Sequence, residues 1–340
     1  MTKNIEVKTE IMQPLLSSKV QAVPRNGELP LSFGQQRLWF LDQLAPGNPF
    51  YNIPAVAYMS GVLDTAALER AINEIMRRHE VLRSTFTTID GRPVQNAAKT
   101  LQLQIPLINL SNLPEGEQQS EVQRLITEEA TRPFDLAAGP LLRATLLKTA
   151  EREHVLLLTM HHIVSDGWSM GVLLHEVGLL YVSYANGHPS PLPELPIQYA
   201  DFADWQQHWM QGEVLQKQLA YWKQQLAGAP TVLELPADRP RPPVQTYRGA
   251  YLRFELPAGL TQELNSLSRR EDVTLFMVLL AAFVTLLNRY TAQDDILVGT
   301  PIANRNRNEI ENLIGLFVNT LVLRARLSPE MSFLELVKQM

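Results

Sequence analysis

The chain has 340 residues, 45% hydrophobic and 19% charged, with a formal net charge of −5; it is long enough for two lobes with separate cores and lacks the basic surplus that a nucleic-acid partner requires. It contains no cysteine, which excludes disulfides, thiolate metal sites and a thiol nucleophile and suits a reducing compartment. The N-terminus lacks a signal-peptide core, and the longest apolar run, 275–287, falls short of the roughly 20 residues of a membrane span, so the expected location is the cytoplasm, with no membrane partner.

Residues 1–28 carry mixed charge and no periodicity, and read as a flexible leader or docking segment outside the fold. Ser32 is the expected N-cap of a helix over 34–44, and Asp64 that of a helix over 64–83, whose Leu68, Ala71, Ile72, Ile75, His79 and Leu82 recur at helical spacing. His79 therefore reads as a packed residue. A hairpin follows over 84–95, with Asp90-Gly91 as its turn. A helix over 118–131 precedes the break at Gly139-Pro140, after which a strand is expected. The run 154–162 is almost wholly apolar, as in a strand buried on both faces, and a helix starts near Trp168 and stops at Asn186-Gly187.

Four prolines between 189 and 196 read as a crossover, which places a first lobe at 29–188 and a second at 189–340. The second is expected to hold an aromatic helix over 198–210, a proline-rich connection over 234–249, a buried helix over 274–290, a strand over 294–301 and a final helix capped by Ser332. That last helix has only begun at Met340, so the chain reads as cut short, with its second lobe incomplete.

The chemistry concentrates in His161-His162-Ile163-Val164-Ser165-Asp166-Gly167. Successive strand side chains point to opposite faces, so only one of the two histidines can enter a given cleft and the pair cannot chelate one metal. No HExxH accompanies them, which speaks against zinc. The following helix aims its N-terminal amides at this loop, favouring a neutral imidazole able to take a proton. Gly167 is expected to permit a tight turn, and Asp166 to hold the loop by pairing with a distant arginine. The remaining histidines, 154, 175, 188 and 208, join no constellation. Ser165 and Ser169 lack a GxSxG elbow, and Met170 and Met277 fall within core stripes.

This frame resembles the HHxxxDG signature of condensation domains from nonribosomal peptide synthetases, within the wider chloramphenicol-acetyltransferase-like superfamily. Segments 32–44, 77–86, 160–169, 199–206, 296–305 and 314–324 resemble further motifs of that family in the same order. The resemblance implies an α/β fold of two chloramphenicol-acetyltransferase-like lobes in a V-shaped pseudo-dimer, with a tunnel between them entered by two carrier proteins. Each carrier would bring its substrate as a thioester on a 4′-phosphopantetheine arm, and no cofactor would bind directly. His162 would then serve the attack of the acceptor's α-amine on the donor thioester, with His161 as its motif partner. Asp166 would be structural, oriented by Arg78, Arg83 or Arg305. Trp205 matches a motif position, although a tryptophan there reads first as packing. The Gly167 amide is a candidate oxyanion donor by its place at the helix start.

The sequence around 160–173, together with 235–249, looks most like the subtype joining an L-donor to an L-acceptor. Other readings are a starter domain that acylates the first amino acid with a fatty acid, an epimerisation domain, and a noncatalytic carrier-docking module. Adjoining synthetase modules such as adenylation domains are expected partners.

Overall fold

The computed structural model describes residues 19–25, 27–240 and 249–340. Most of the leader and the centre of the 234–249 connection lie outside the described residues. The chain forms two compact units: the first reaches Gln211 and takes in 303–319, and the second comprises 212–302 and 320–340.

In the first unit, β1 (Leu29–Pro30), α1 (Phe33–Leu44), β2 (Asn52–Ser60) and α2 (Thr65–Arg78) lead into the hairpin β3 (Ser84–Ile89) and β4 (Arg92–Ala97). There follow β5 (Leu107–Asn109), α3 (Glu115–Thr131), β6 (Leu142–Ala150), β7 (Glu153–His161), α4 (Gly167–Ala185) and α5 (Tyr199–Trp209). The second unit holds α6 (Gly212–Leu226), α7 (Ala258–Arg270), α8 (Leu275–Thr291) and β8 (Asp295–Ile302), while α9 (Asn308–Glu311) sits in the returning segment of the first. The chain then runs through β9 (Asn319–Arg326) and α10 (Phe333–Gln339).

The main sheet has the order β2-β7-β6-β5. Its inner strand β7 is antiparallel to β2, with Asn52 opposite His161, and to β6, with Leu142 opposite Met160. Period-two alternation divides β7 between two cores. Leu156, Leu158 and Met160 pack into the large cluster beneath α2 and α4, whereas Val155 and Leu157 meet Val122, Leu125 and Ile126 of α3. That division explains why the strand carries no polar alternation. The smaller sheet, β1-β4-β3, turns at Asp90 and Gly91, whose φ values of 48° and 74° suit a two-residue hairpin.

Three expectations are corrected. Helix α2 ends at Arg78 rather than running to 83, because His79 takes an extended backbone (φ −104°, ψ 99°) and a short 3-10 turn over Glu80–Arg83 follows. The lobe boundary does not lie at the proline cluster. Helix α5 belongs to the first unit because Tyr199 and Phe202 pack on Phe317, with ring centroids 4.9 and 4.7 Å apart, and the Tyr199 hydroxyl bonds to Ser32 and to the Leu316 carbonyl. Helix α8 is buried on one side only. Val278, Ala281 and Val284 face inward while Phe276, Phe283, Leu286 and Tyr290 are exposed, because the elements of this unit that α8 packs against, α7, α10 and the pair β8-β9, meet its inward side. Among the described residues no single helix is long and apolar enough to cross a membrane.

Candidate active site

Strand β7 ends at His161, and His162 opens a single 3-10 turn, His162–Val164, so the second histidine lies one residue beyond the strand. Its N–H still donates to the Tyr51 carbonyl (2.7 Å), which prolongs the pairing with the β2 side. The His162 Nδ1 lies 2.7 Å from the Ser165 carbonyl oxygen. A carbonyl only accepts, so Nδ1 carries the proton and Nε2 the lone pair. The ring is half-buried, and Nε2 meets no hydrogen-bonding partner among the described residues. Backbone alone thus fixes this imidazole in a proton-accepting tautomer.

His161 is of a different kind. It is 3% exposed, its Nδ1 accepts from the Ile163 N–H (3.1 Å), and the edges of Tyr51 and Phe134 enclose it at 6.2 and 6.0 Å. Loss of hydration, and secondarily its neighbour His162, push its pKa down to about 4. It is neutral at pH 7 and holds the turn.

Asp166 is the N-cap of α4, accepting from the Ser169 N–H at 2.8 Å. Its Oδ1 also accepts from the Ser169 hydroxyl (2.8 Å) and Arg305 Nη2 (3.3 Å), and its Oδ2 from the amides of Phe317 (2.9 Å) and Val318 (3.2 Å). Arg305 is therefore the arginine that meets Asp166, and its Nη1 reaches the carbonyls of Ile310 (2.6 Å) and Leu313 (2.7 Å). The other two candidates lie elsewhere. Arg78 pairs with Glu176 at 3.1 Å, and Arg83 donates to the Met76, Arg77 and Ala98 carbonyls. Trp205 does not join the histidines; it stacks on Trp209 at 5.3 Å and lies beneath the Arg307 guanidinium at 4.5 Å.

The turn needs no glycine at 167. Gly167 is the first residue of α4, does not occupy the left-handed region, and nothing lies within 4 Å of where a Cβ would stand. This corrects the expectation of a tight turn. What the position provides is open space and an exposed helix-start amide without an acceptor among the described residues.

Sequence reasoning placed 314–324 among the family-like motifs but missed that this segment fastens the corner. Along 313–318, the Ile314 N–H donates to His79 Nδ1 (3.2 Å), the Gly315 N–H to Ser169 Oγ (3.0 Å), and the Leu316 carbonyl accepts from the Tyr199 hydroxyl (2.6 Å). Ser169, which lacks a nucleophile's sequence surroundings, is fully buried and also receives Arg305 Nη2 at 2.8 Å. Asp166 binds the Ser169 amide as an N-cap, but the cap uses only backbone at 169, so the serine hydroxyl has no sequence signal of its own. His79, Tyr199 and Gly315 lie in the motif-like segments 77–86, 199–206 and 314–324, yet nothing local in those segments assigns them these partners. Among the described residues no three metal-ligating side chains converge.

Comparison with known proteins places the chain and its fold among known families. Residues 25–340 match the family model described as "Condensation domain". One of the linear gramicidin synthase proteins of Brevibacillus parabrevis is 52% identical over 315 residues, covering 93% of this chain and 4% of that protein. The chain thus spans only a small part of its curated relatives. Among solved structures, the X-domain from teicoplanin biosynthesis superposes with a TM-score of 0.85 at 27% identity, over 95% of this chain and 71% of that one. The first condensation domain of the CDA synthetase shares the fold, with a TM-score of 0.75 at 23% identity over 92% and 74% of the two chains. The mixed α/β architecture is that of these structures.

Proposed function

This chain belongs to the condensation-domain family, and from that membership we propose that it joins the α-amine of a carrier-bound aminoacyl acceptor to a carrier-bound aminoacyl or peptidyl thioester, forming an amide in nonribosomal peptide synthesis. The observation that carries this reading is the His162 tautomer, with Nδ1–H held by the Ser165 carbonyl and Nε2 left as acceptor. As the amine nitrogen bonds to the thioester carbon, an N–H proton passes to Nε2. The oxyanion then collapses, the C–S bond breaks, and the thiolate leaves with the proton returned from His162. The Gly167 amide, without an acceptor among the described residues, is the proposed donor to that oxyanion. Asp166 and Arg305 are positioning residues, and His161 supports the turn.

Both thioesters would arrive on 4′-phosphopantetheine arms of donor and acceptor carriers, in an assembly with adjoining modules such as adenylation domains. The sequence through 160–173 supports the L-donor, L-acceptor subtype. The test is intact-protein mass spectrometry of an acceptor carrier mixed with a loaded donor carrier and either this chain or its His162→Ala variant. Acyl transfer that disappears in the variant is expected, and undiminished transfer would overturn the assignment. Transfer of a fatty acyl group only, or inversion of a carrier-bound residue, would replace it with the starter or epimerase reading. Carrier binding without chemistry in the wild-type chain would leave a docking module.

A further inference from the structure

A buried cluster outside the histidine motif grips the same segment as Asp166. His79, 1% exposed, leaves α2 with an extended backbone and turns its ring inward. Its Nδ1 accepts the Ile314 N–H at 3.2 Å, which requires a bare Nδ1 and puts the ring proton on Nε2, 3.0 Å from Glu176 Oε2. Glu176, on α4, also receives Arg78 Nε and Nη2 at 3.2 and 3.1 Å, and Arg78 Nη1 reaches the Pro193 carbonyl at 2.7 Å. The amides of Ile314, Gly315, Phe317 and Val318 are thus taken up in sequence by His79, Ser169 and Asp166. Two of these three side chains belong to the first turn of α4 and its cap, next to His162 and Gly167, and the third is tied to the same helix two turns on through Glu176.

We infer that His79 is a positioning residue for the reaction: its neutral, Nε2-protonated ring registers the 314–318 segment against α4, so that Asp166 meets Phe317 and Val318 and the His162–Gly167 loop keeps its reactive geometry. This rests on the function proposed above. The coupling runs through backbone, because a shift of Ile314 displaces the two amides that saturate Asp166 Oδ2 and thereby the cap of the helix whose first amide is that of Gly167. A misplacement of about 1 Å at a reacting group can cost a hundredfold in rate. A ring that only filled space would tolerate any side chain of similar volume.

Three full-chain variants separate these roles. His79→Asn keeps an acceptor near the Nδ1 position, His79→Gln carries its polar end beyond it, and His79→Leu has none. Transfer between carriers is measured as kcat and KM, and nitrogen-15 NMR of labelled histidine reads the His162 tautomer independently of turnover. His79→Leu and His79→Gln are expected to lose at least about tenfold in kcat with little change in KM for either carrier and a mixed His162 tautomer. His79→Asn is expected to stay within about threefold of wild type, with the tautomer retained. Equal behaviour of the Asn and Gln variants, or an unchanged tautomer in both Gln and Leu variants, would overturn the inference. If the wild-type chain transfers nothing, the function above fails, while the tautomer measurement still decides the positioning role.

Discussion

Asp166→Asn isolates the fastening of the returning segment at its most connected atom pair. The carboxylate is 1% exposed and receives five hydrogen bonds, three at Oδ1 and two at Oδ2. An asparagine presents an NH2 group to donors in either orientation. With NH2 at Oδ2, the Phe317 and Val318 amides lose their acceptor, at about 1–3 kcal/mol for each buried orphan. With NH2 at Oδ1, the cap of α4 and the contacts from the Ser169 hydroxyl and Arg305 go instead. In both, Arg305 keeps a buried charge without its counter-ion, and breaking one side of such a pair costs about 3–5 kcal/mol. The expected loss is therefore at least about 3 kcal/mol, a substantial part of the roughly 5–15 kcal/mol that stabilises a typical domain. Urea unfolding followed by tryptophan fluorescence is well placed to see it, since the Trp168 indole donates to the Glu311 carbonyl and Trp205 lies beneath Arg307. A loss below about 1 kcal/mol, the net value of one ordinary hydrogen bond, would refute the reasoning.

Three further outcomes follow from the same geometry. Gly315→Ala would place its Cβ 1.9 Å from Tyr199 Cδ2, in a ring fixed by two hydrogen bonds, so we expect a drop in unfolding midpoint worth about 1–3 kcal/mol or more; an unchanged midpoint would contradict it. His161 titrates at about 4 when folded against 6.5 in the open chain, so between these values only the unfolded state holds the proton and stability falls as pH drops, by about 3 kcal/mol across the window. Urea midpoints at pH 7 and 4.5 should show this slope in wild type and a shallower one in His161→Phe, and equal slopes would count against it. Gly167→Val meets open space, so its urea midpoint should hold while carrier-to-carrier turnover falls about tenfold or more; retained turnover would remove the amide from the reaction.

The parts of this fold that could be read from sequence are those set by neighbours along the chain. Strand β7 shows in its apolar run, α2 in its spacing, α4 in its stop, and the hairpin in Asp90-Gly91. The histidine loop was legible for the same reason, since Ser165, which orients His162, is only three residues away. Arg305 lies 139 residues from Asp166, and nothing local distinguishes it from Arg78 or Arg83. The prolines of 189–196 mark irregular backbone, yet the boundary depends on where Tyr199 and Phe202 find partners, and these are Ser32, Leu316 and Phe317. Helix α8 misled because an apolar helix looks the same in sequence whether one side is covered or all of it.

The arrangement keeps holding and reacting apart. A histidine base backed by a carboxylate gains stabilisation of its imidazolium from that charge, but here no acid pairs with His162 among the described residues and a backbone carbonyl orients it. Asp166, four residues on, spends both oxygens on amides, a hydroxyl and a guanidinium that carry the returning segment. In the reaction proposed above, the proton taken by His162 would go back to the leaving thiolate within the same turnover, with no carboxylate beside the ring among the described residues. Loss of Asp166 should accordingly act through misplaced backbone, and its effect on rate should track its effect on the fold of 313–318 rather than on the basicity of His162.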